Sequence, residues 1–152
     1  MGLDMYLYKK NYIRTDEFYK PEYRNEVVVK TGGEIDKKIK PERIRYVVEE
    51  VGYWRKANQI HKWFVDNVQE GNDNCGSYYV NSTTLEELLE LCKKVQADHS
   101  LAESLLPSTS GFFFGGTEYD EWYFNDIDNT IKIIEECLAD EGADDFEYSS
   151  SW

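Results

Sequence analysis

A chain of 152 residues with 41% hydrophobic content suits one domain over residues 1–152, large enough to bury a core without covalent staples. Its three cysteines include no CxxC pair, no apolar run approaches the roughly 20 residues of a membrane span, and a net charge of -13 lacks the basic footprint of a general nucleic-acid binder. Disulfide scaffolds, membrane-spanning proteins and general nucleic-acid binding are set aside, and the absence of a signal-like apolar start points to a reducing cytoplasm.

Leu3 to Tyr8 alternates, with Leu3, Met5 and Leu7 on one face, and predicts the first strand, ended by Lys9 and Lys10. Asn11 to Asn25 contains Pro21 and has no period; it reads as a loop with one short helical turn, made sticky by Tyr12, Phe18, Tyr19 and Tyr23. The β-branched run Glu26 to Thr31, closed by Gly32-Gly33, predicts a second strand and a turn. Arg43 to Val51 fits alternation as well as a helix and is read as strand, with Gly52 marking entry to the next element.

That element, Tyr53 to Val68, is expected to be an amphipathic helix. Tyr53, Ala57, Ile60, Phe64 and Val68 gather on one face at about 100° per residue. His61 then falls beside the apolar stripe next to Trp54, partly buried or lining a pocket, while Arg55, Gln59, Lys62 and Asp66 point outward. Glu70 to Gly76 is turn chemistry without the order of a calcium loop, and Ser77 to Val80 a short strand. Thr83 caps a second helix to about Ala97, with Glu86 as capping-box partner and Leu85, Leu88, Leu89 and Cys92 as its core stripe.

His99 to Leu106 predicts a helical turn stopped by Pro107. Ser108 to Gly116 sets three successive Phe between glycines and reads as a buried strand or a pocket wall. Thr117 opens the longest helix, to Ala139, with Tyr119, Trp122, Tyr123, Ile127, Ile131, Ile134 and Leu138 as its stripe. Phe146 to Tyr148, with Trp152, closes the sheet as a last strand. The expected fold is α+β: a mixed or antiparallel sheet of about four or five strands packed with three main helices.

The stretches MGLDMYLYKK, VGYWRKANQIHKWFVDNV, LLPSTSGFFFGGTEYDEWYFND and the final YSSSW together resemble a family of small proteins from bacteriophages and prophages, over most of the chain. The resemblance implies an accessory protein acting in the cytoplasm of a bacterial host.

The charge is uneven: residues 1–62 carry 14 Lys and Arg against 10 Asp and Glu, whereas residues 63–152 carry 3 against 20. Three functions follow from these patterns. The first is binding of a small nucleotide-like ligand that sequesters a host defence signal, with aromatic rings to stack on a base and Arg55 or Lys56 for phosphate. Its expected site comprises Trp54, Arg55, Asn58 and His61 together with Phe113, Gly115, Gly116, Thr117, Glu118, Tyr119 and Trp122. The second is an acidic inhibitor that imitates DNA towards a host defence protein, carried by Glu135, Glu136, Asp140 and Glu141. The third is a nucleotide-processing enzyme with His61 as general base or metal ligand and Glu118, Asp120 or Glu121 as its carboxylate partners. None requires a metal or cofactor, and a homo-oligomer is compatible with each.

Overall fold

The computed structural model describes residues 2–152. Its elements are β1 (Asp4–Tyr12), β2 (Lys30–Thr31), β3 (Glu34–Ile35), β4 (Tyr46–Arg55), α1 (Asn58–Asn67), β5 (Ser77–Val80), α2 (Ser82–Ala97), α3 (Ala102–Leu105), α4 (Glu121–Ala139) and β6 (Phe146–Ser151). The fold is α+β, as expected, and the chain divides into two compact units: residues through Lys9 with 50–152, and residues 10–49.

The larger unit is built on an antiparallel sheet in the order β4-β1-β6-β5, so the last strand of the chain lies between the first and the fifth. The β1–β6 register sets Leu7 opposite Tyr148 and Met5 opposite Ser150, and alternation turns Leu3, Met5, Leu7, Phe146 and Tyr148 to the core. Helix α2 buries Leu85, Leu88, Cys92 and Val95, and α4 buries Tyr123, Ile127, Thr130, Ile131 and Ile134. Burial pushes the Cys92 thiol up to about 12, which suits a small core residue. Among the described residues no helix is long and apolar enough to cross a membrane.

Three helix starts differ from the sequence expectation. Tyr53 to Arg55 continue β4 by alternation, Tyr53 and Arg55 exposed and Trp54 buried, and α1 begins only at Asn58 after Lys56 takes a left-handed φ of 58°. Gly52 is therefore inside a strand. A Cβ there would stand 2.7 Å from Cγ2 of Ile133, so glycine is what lets α4 approach the sheet. Helix α2 starts at Ser82, with Asn81 as the cap accepting from the Thr84 amide at 2.8 Å. Helix α4 starts at Glu121, because the Asp120 carboxylate takes the Tyr123 amide at 3.1 Å and leaves Thr117 and Tyr119 in the preceding loop. Trp122 leaves the predicted stripe for a geometric reason: nine residues before Ile131, it lies roughly 180° away around the helix. It is 76% exposed.

The smaller unit, residues 10–49, pairs its own strand ends through Ile13 N–H to the Arg45 carbonyl at 2.8 Å. It also holds single 3-10 turns at Pro21–Tyr23 and Pro41–Arg43. The predicted strand Glu26 to Thr31 shrinks to Lys30–Thr31, which pairs with β3 around Gly32-Gly33. The rest of that run has no buried face to hold it extended, and Ile13 is the one buried side chain of this unit.

Candidate functional site

In the larger unit, the end of β4, the start of α1, the loop 107–120 and the first turns of α4 enclose an open cavity of about 540 Å³. That lies within the range of small-molecule sites. Strand β4 and its left-handed exit supply Arg55 and Lys56, α1 supplies Asn58 and Gln59, and the loop supplies Ser108, Gly115, Gly116, Glu118 and Asp120. Helix α4 adds Trp122 and Tyr123, then Asn125, Asp126 and Asn129 further along the same face.

Asn58 is what joins the two sides. Its amide nitrogen donates to the carbonyls of Phe114 (3.2 Å) and Gly116 (2.8 Å), and its oxygen accepts from the Thr109 amide (3.0 Å). The side chain is buried and its hydrogen-bonding capacity is largely spent on the loop. Gly115 has φ +88°, and a Cβ there would meet Cβ of Lys56 at 3.2 Å, so the loop passes over the strand exit only as glycine. Gln59, expected to face solvent, is buried and donates to the Tyr123 carbonyl at 3.2 Å.

The electrostatics are bipolar. Arg55 and Lys56 stand on the strand side, with Arg55 3.8 Å from Asp4, and among the described residues Lys56 makes no ion pair. Glu118, Asp120 and Asp126 stand on the loop and helix side. Burial pushes the Asp126 carboxyl up to about 6; a hydrogen bond from Gln59 opposes this and the charge of Asp120 adds to it. An acid whose pKa rises on folding holds its proton longer in the native state. Its cost to stability therefore appears as pH climbs through the interval between the unfolded and folded values and persists above it. Replacing Asp126 by Asn is expected to stabilise the protein by about 1–3 kcal/mol at pH above 6, with the gain closing toward pH 4. Urea midpoints of both chains across that range measure it, and a gain that grows on acidification contradicts the assignment.

Of the residues expected from sequence, Arg55, Asn58, Gly115, Gly116, Glu118 and Trp122 meet on this wall. Trp54 does not: 2% exposed, it packs edge-on to Phe64 at 6.2 Å, and its indole N–H donates to Oγ1 of Thr130 at 2.8 Å. His61, 1% exposed, is also interior. Its Nε2 lies 3.0 Å from Oδ2 of Asp73 and its Nδ1 2.6 Å from the Tyr148 hydroxyl. Burial raises the Tyr148 pKa well above the usual tyrosine value, so that hydroxyl keeps its proton. A carboxylate accepts only, so Nε2 donates to Asp73, while Nδ1 and the Tyr148 hydroxyl share the second hydrogen bond. Both ring nitrogens are engaged, by partners other than Glu118, Asp120 or Glu121. His61 instead borders a separate hollow of about 170 Å³ with Asp73, Thr109 and Phe114.

The phenylalanine triplet is neither a strand nor a continuous wall. Phe113 takes a φ of 63°, which turns Phe112 (74% exposed) and Phe113 outward and sends Phe114 inward, edge-on to His61 at 5.3 Å. Thr117 is exposed, and Tyr119 accepts the Ser108 amide at 3.2 Å while packing on Tyr123. Sequence reasoning missed Gln59, Asn125, Asp126 and Asn129 as wall residues. The i, i+4, i+7 spacing of Trp122, Asp126 and Asn129 would have signalled a second, polar face of α4. Among the described residues no group of three or more His, Cys, Asp or Glu is placed to hold a metal.

Fold and wall together describe an α+β protein with a small-molecule-sized, bipolar cavity beside its sheet. No protein-family model, curated protein or solved structure matches the chain.

Proposed function

We propose that the chain binds a small nucleotide-like ligand in this cavity and withholds it, as a phage accessory protein would remove a nucleotide signal of its host's defence. The observation that carries the reading is the exposed indole of Trp122 on the same wall as Arg55 and Lys56. A base stacks on an indole, and two neighbouring cations suit a phosphate. Asp126 stands one helical turn beyond Trp122, about 6 Å along the axis, where a carboxylate can accept from the N–H edge of a stacked base. Asn125 and Asn129 flank it with amides for ribose or base. Two of the acidic groups that would carry DNA imitation are engaged elsewhere, Glu135 with Lys93 at 2.7 Å and Asp140 with Lys9 at 3.3 Å. The ligand-binding reading is therefore preferred.

Calorimetry against mononucleotides, cyclic dinucleotides and ADP-ribose derivatives tests it. At least one is expected to bind with one site per chain and to be recovered intact on denaturation. Trp122→Ala is expected to weaken that ligand by roughly 10- to 100-fold, the worth of one base-on-aromatic stack. Silence across the whole panel ends the proposal, and undiminished affinity in the Trp122 variant removes the indole from it.

A further inference from the structure

Asp126 is a carboxylate short of donors. It lines the cavity one helical turn beyond Trp122, and among the described residues no Lys, Arg or His forms an ion pair with it. The buried Gln59 amide, which donates to the Tyr123 carbonyl at 3.2 Å, also hydrogen-bonds the Asp126 carboxyl, while Asp120 adds only like charge. An ionised carboxylate accepts on both oxygens and donates nothing, so one amide leaves most of its capacity unfilled. Burial holds its pKa up at about 6 despite that hydrogen bond, as expected of a charge with more acceptor sites than donors.

Resting on the reading of this cavity as a nucleotide site, we propose that the base it selects is guanine: Asp126 takes the neighbouring ring N–H and amino N–H of the base while Trp122 carries its face. Guanine is the common base with two adjacent N–H donors on its pairing edge. Adenine and cytosine set a ring-nitrogen acceptor beside their amino group, and uracil sets a carbonyl on either side of its N–H. Those lone pairs would face the carboxylate and repel it, whereas guanine occupies both oxygens with charge-assisted hydrogen bonds. The rest of the wall has the same polarity. Glu118 and Asp120 stand on the side of Asp126 and oppose an anion there, and Arg55 and Lys56 on the strand side suit the phosphate. A guanine nucleotide matches both ends, with a donor edge at one and an anion at the other. Asp126 is thus the specificity-determining residue of the cavity.

Calorimetry of the full chain against GMP, IMP, AMP and XMP tests this. Cyclic di-GMP and cyclic di-AMP form a second arm, which separates a free nucleotide from a cyclic dinucleotide as the source of the base. GMP is expected to bind tightest. IMP keeps the ring N–H but has no amino group and should bind roughly 10-fold more weakly, the loss of one charge-assisted hydrogen bond. AMP should be weaker by at least roughly 100-fold, because it leaves the carboxylate facing an acceptor, and cyclic di-AMP should trail cyclic di-GMP in the same sense. Asp126→Asn is expected to invert the preference. Its amide still accepts the ring N–H but turns an N–H on the guanine amino group, where XMP offers a carbonyl to receive it, so XMP should overtake GMP. That variant is expected to be at least as stable as the wild type above pH 6, so lost guanine binding does not reflect unfolding. AMP bound as tightly as GMP through a site that needs Trp122, or a GMP preference that Asp126→Asn leaves unchanged, overturns the assignment and leaves the nucleotide reading standing. Silence toward every nucleotide overturns both.

Discussion

Replacing Asn58 with Ala is expected to detach the loop 109–116 from α1, to destabilise the protein by about 2–4 kcal/mol and to abolish ligand binding in the cavity. The size of the effect follows from what one buried amide does. It satisfies the carbonyls of Phe114 and Gly116 and the amide of Thr109, three backbone groups of a segment with no strand or helix of its own. With the amide gone, the Phe114 carbonyl loses its partner in the interior, and the Gly116 carbonyl and the Thr109 amide lose theirs where they are only partly buried. The loop also carries strain at Phe113, whose φ of 63° only a surrounding tether maintains. Asn58→Asp is the sharper variant. Its carboxylate still accepts from Thr109 but presents lone pairs to two carbonyls, so it should be at least as damaging as Ala although its shape is unchanged. Urea midpoints and amide hydrogen exchange over residues 109–116 measure both, and protected loop amides in either variant would show that other contacts hold the loop.

Trp54→Ala is expected to cost about 3–5 kcal/mol, the range for emptying a large aromatic from a packed core. The indole is interior, against Phe64, and its loss leaves a void between β4 and α4. Trp54→Phe retains most of that volume. Thr130 then loses the indole N–H but still donates to the Asp126 carbonyl at 2.7 Å, so about 1 kcal/mol is expected. The pair of variants separates two roles that the sequence leaves superimposed. If Trp54 is core, the Phe variant keeps ligand affinity while the Trp122 variant loses it. Ligand affinity lost in Trp54→Phe at unchanged stability would return Trp54 to the site.

Much of the fold was legible because it rests on short-range pattern. Alternation marked Leu3, Met5 and Leu7, the strand Ser77–Val80 is where its turn formers place it, and α2 reaches Ala97 as its apolar stripe requires. Part of the cavity was legible too, since Arg55 and Asn58 on one side and Gly115, Gly116, Glu118 and Trp122 on the other lie in the two stretches from which the expected site was drawn. Errors fell where two periods overlap. Tyr53 and Trp54 fit a helix of period 3.6 as readily as a strand of period 2, and only a sheet partner separates them. The Leu3 carbonyl, which takes the Lys56 amide at 2.8 Å, supplies that partner from more than fifty residues away.

By itself the sequence determined the class of fold, the residues that can only be core, and the sign of charge along the chain, because each depends on composition and on neighbours within a turn or two. The tertiary structure alone decided which polar side chains are consumed inside and which face a cavity. His61 is claimed by Tyr148 and Asp73, Asn58 by the loop, and Trp122 is left outside once Asp120 caps α4 where it does. The physical reason is that a hydrogen bond between residues 56 or 87 positions apart leaves no trace in local spacing, yet a buried polar atom must find such a partner wherever the fold brings one.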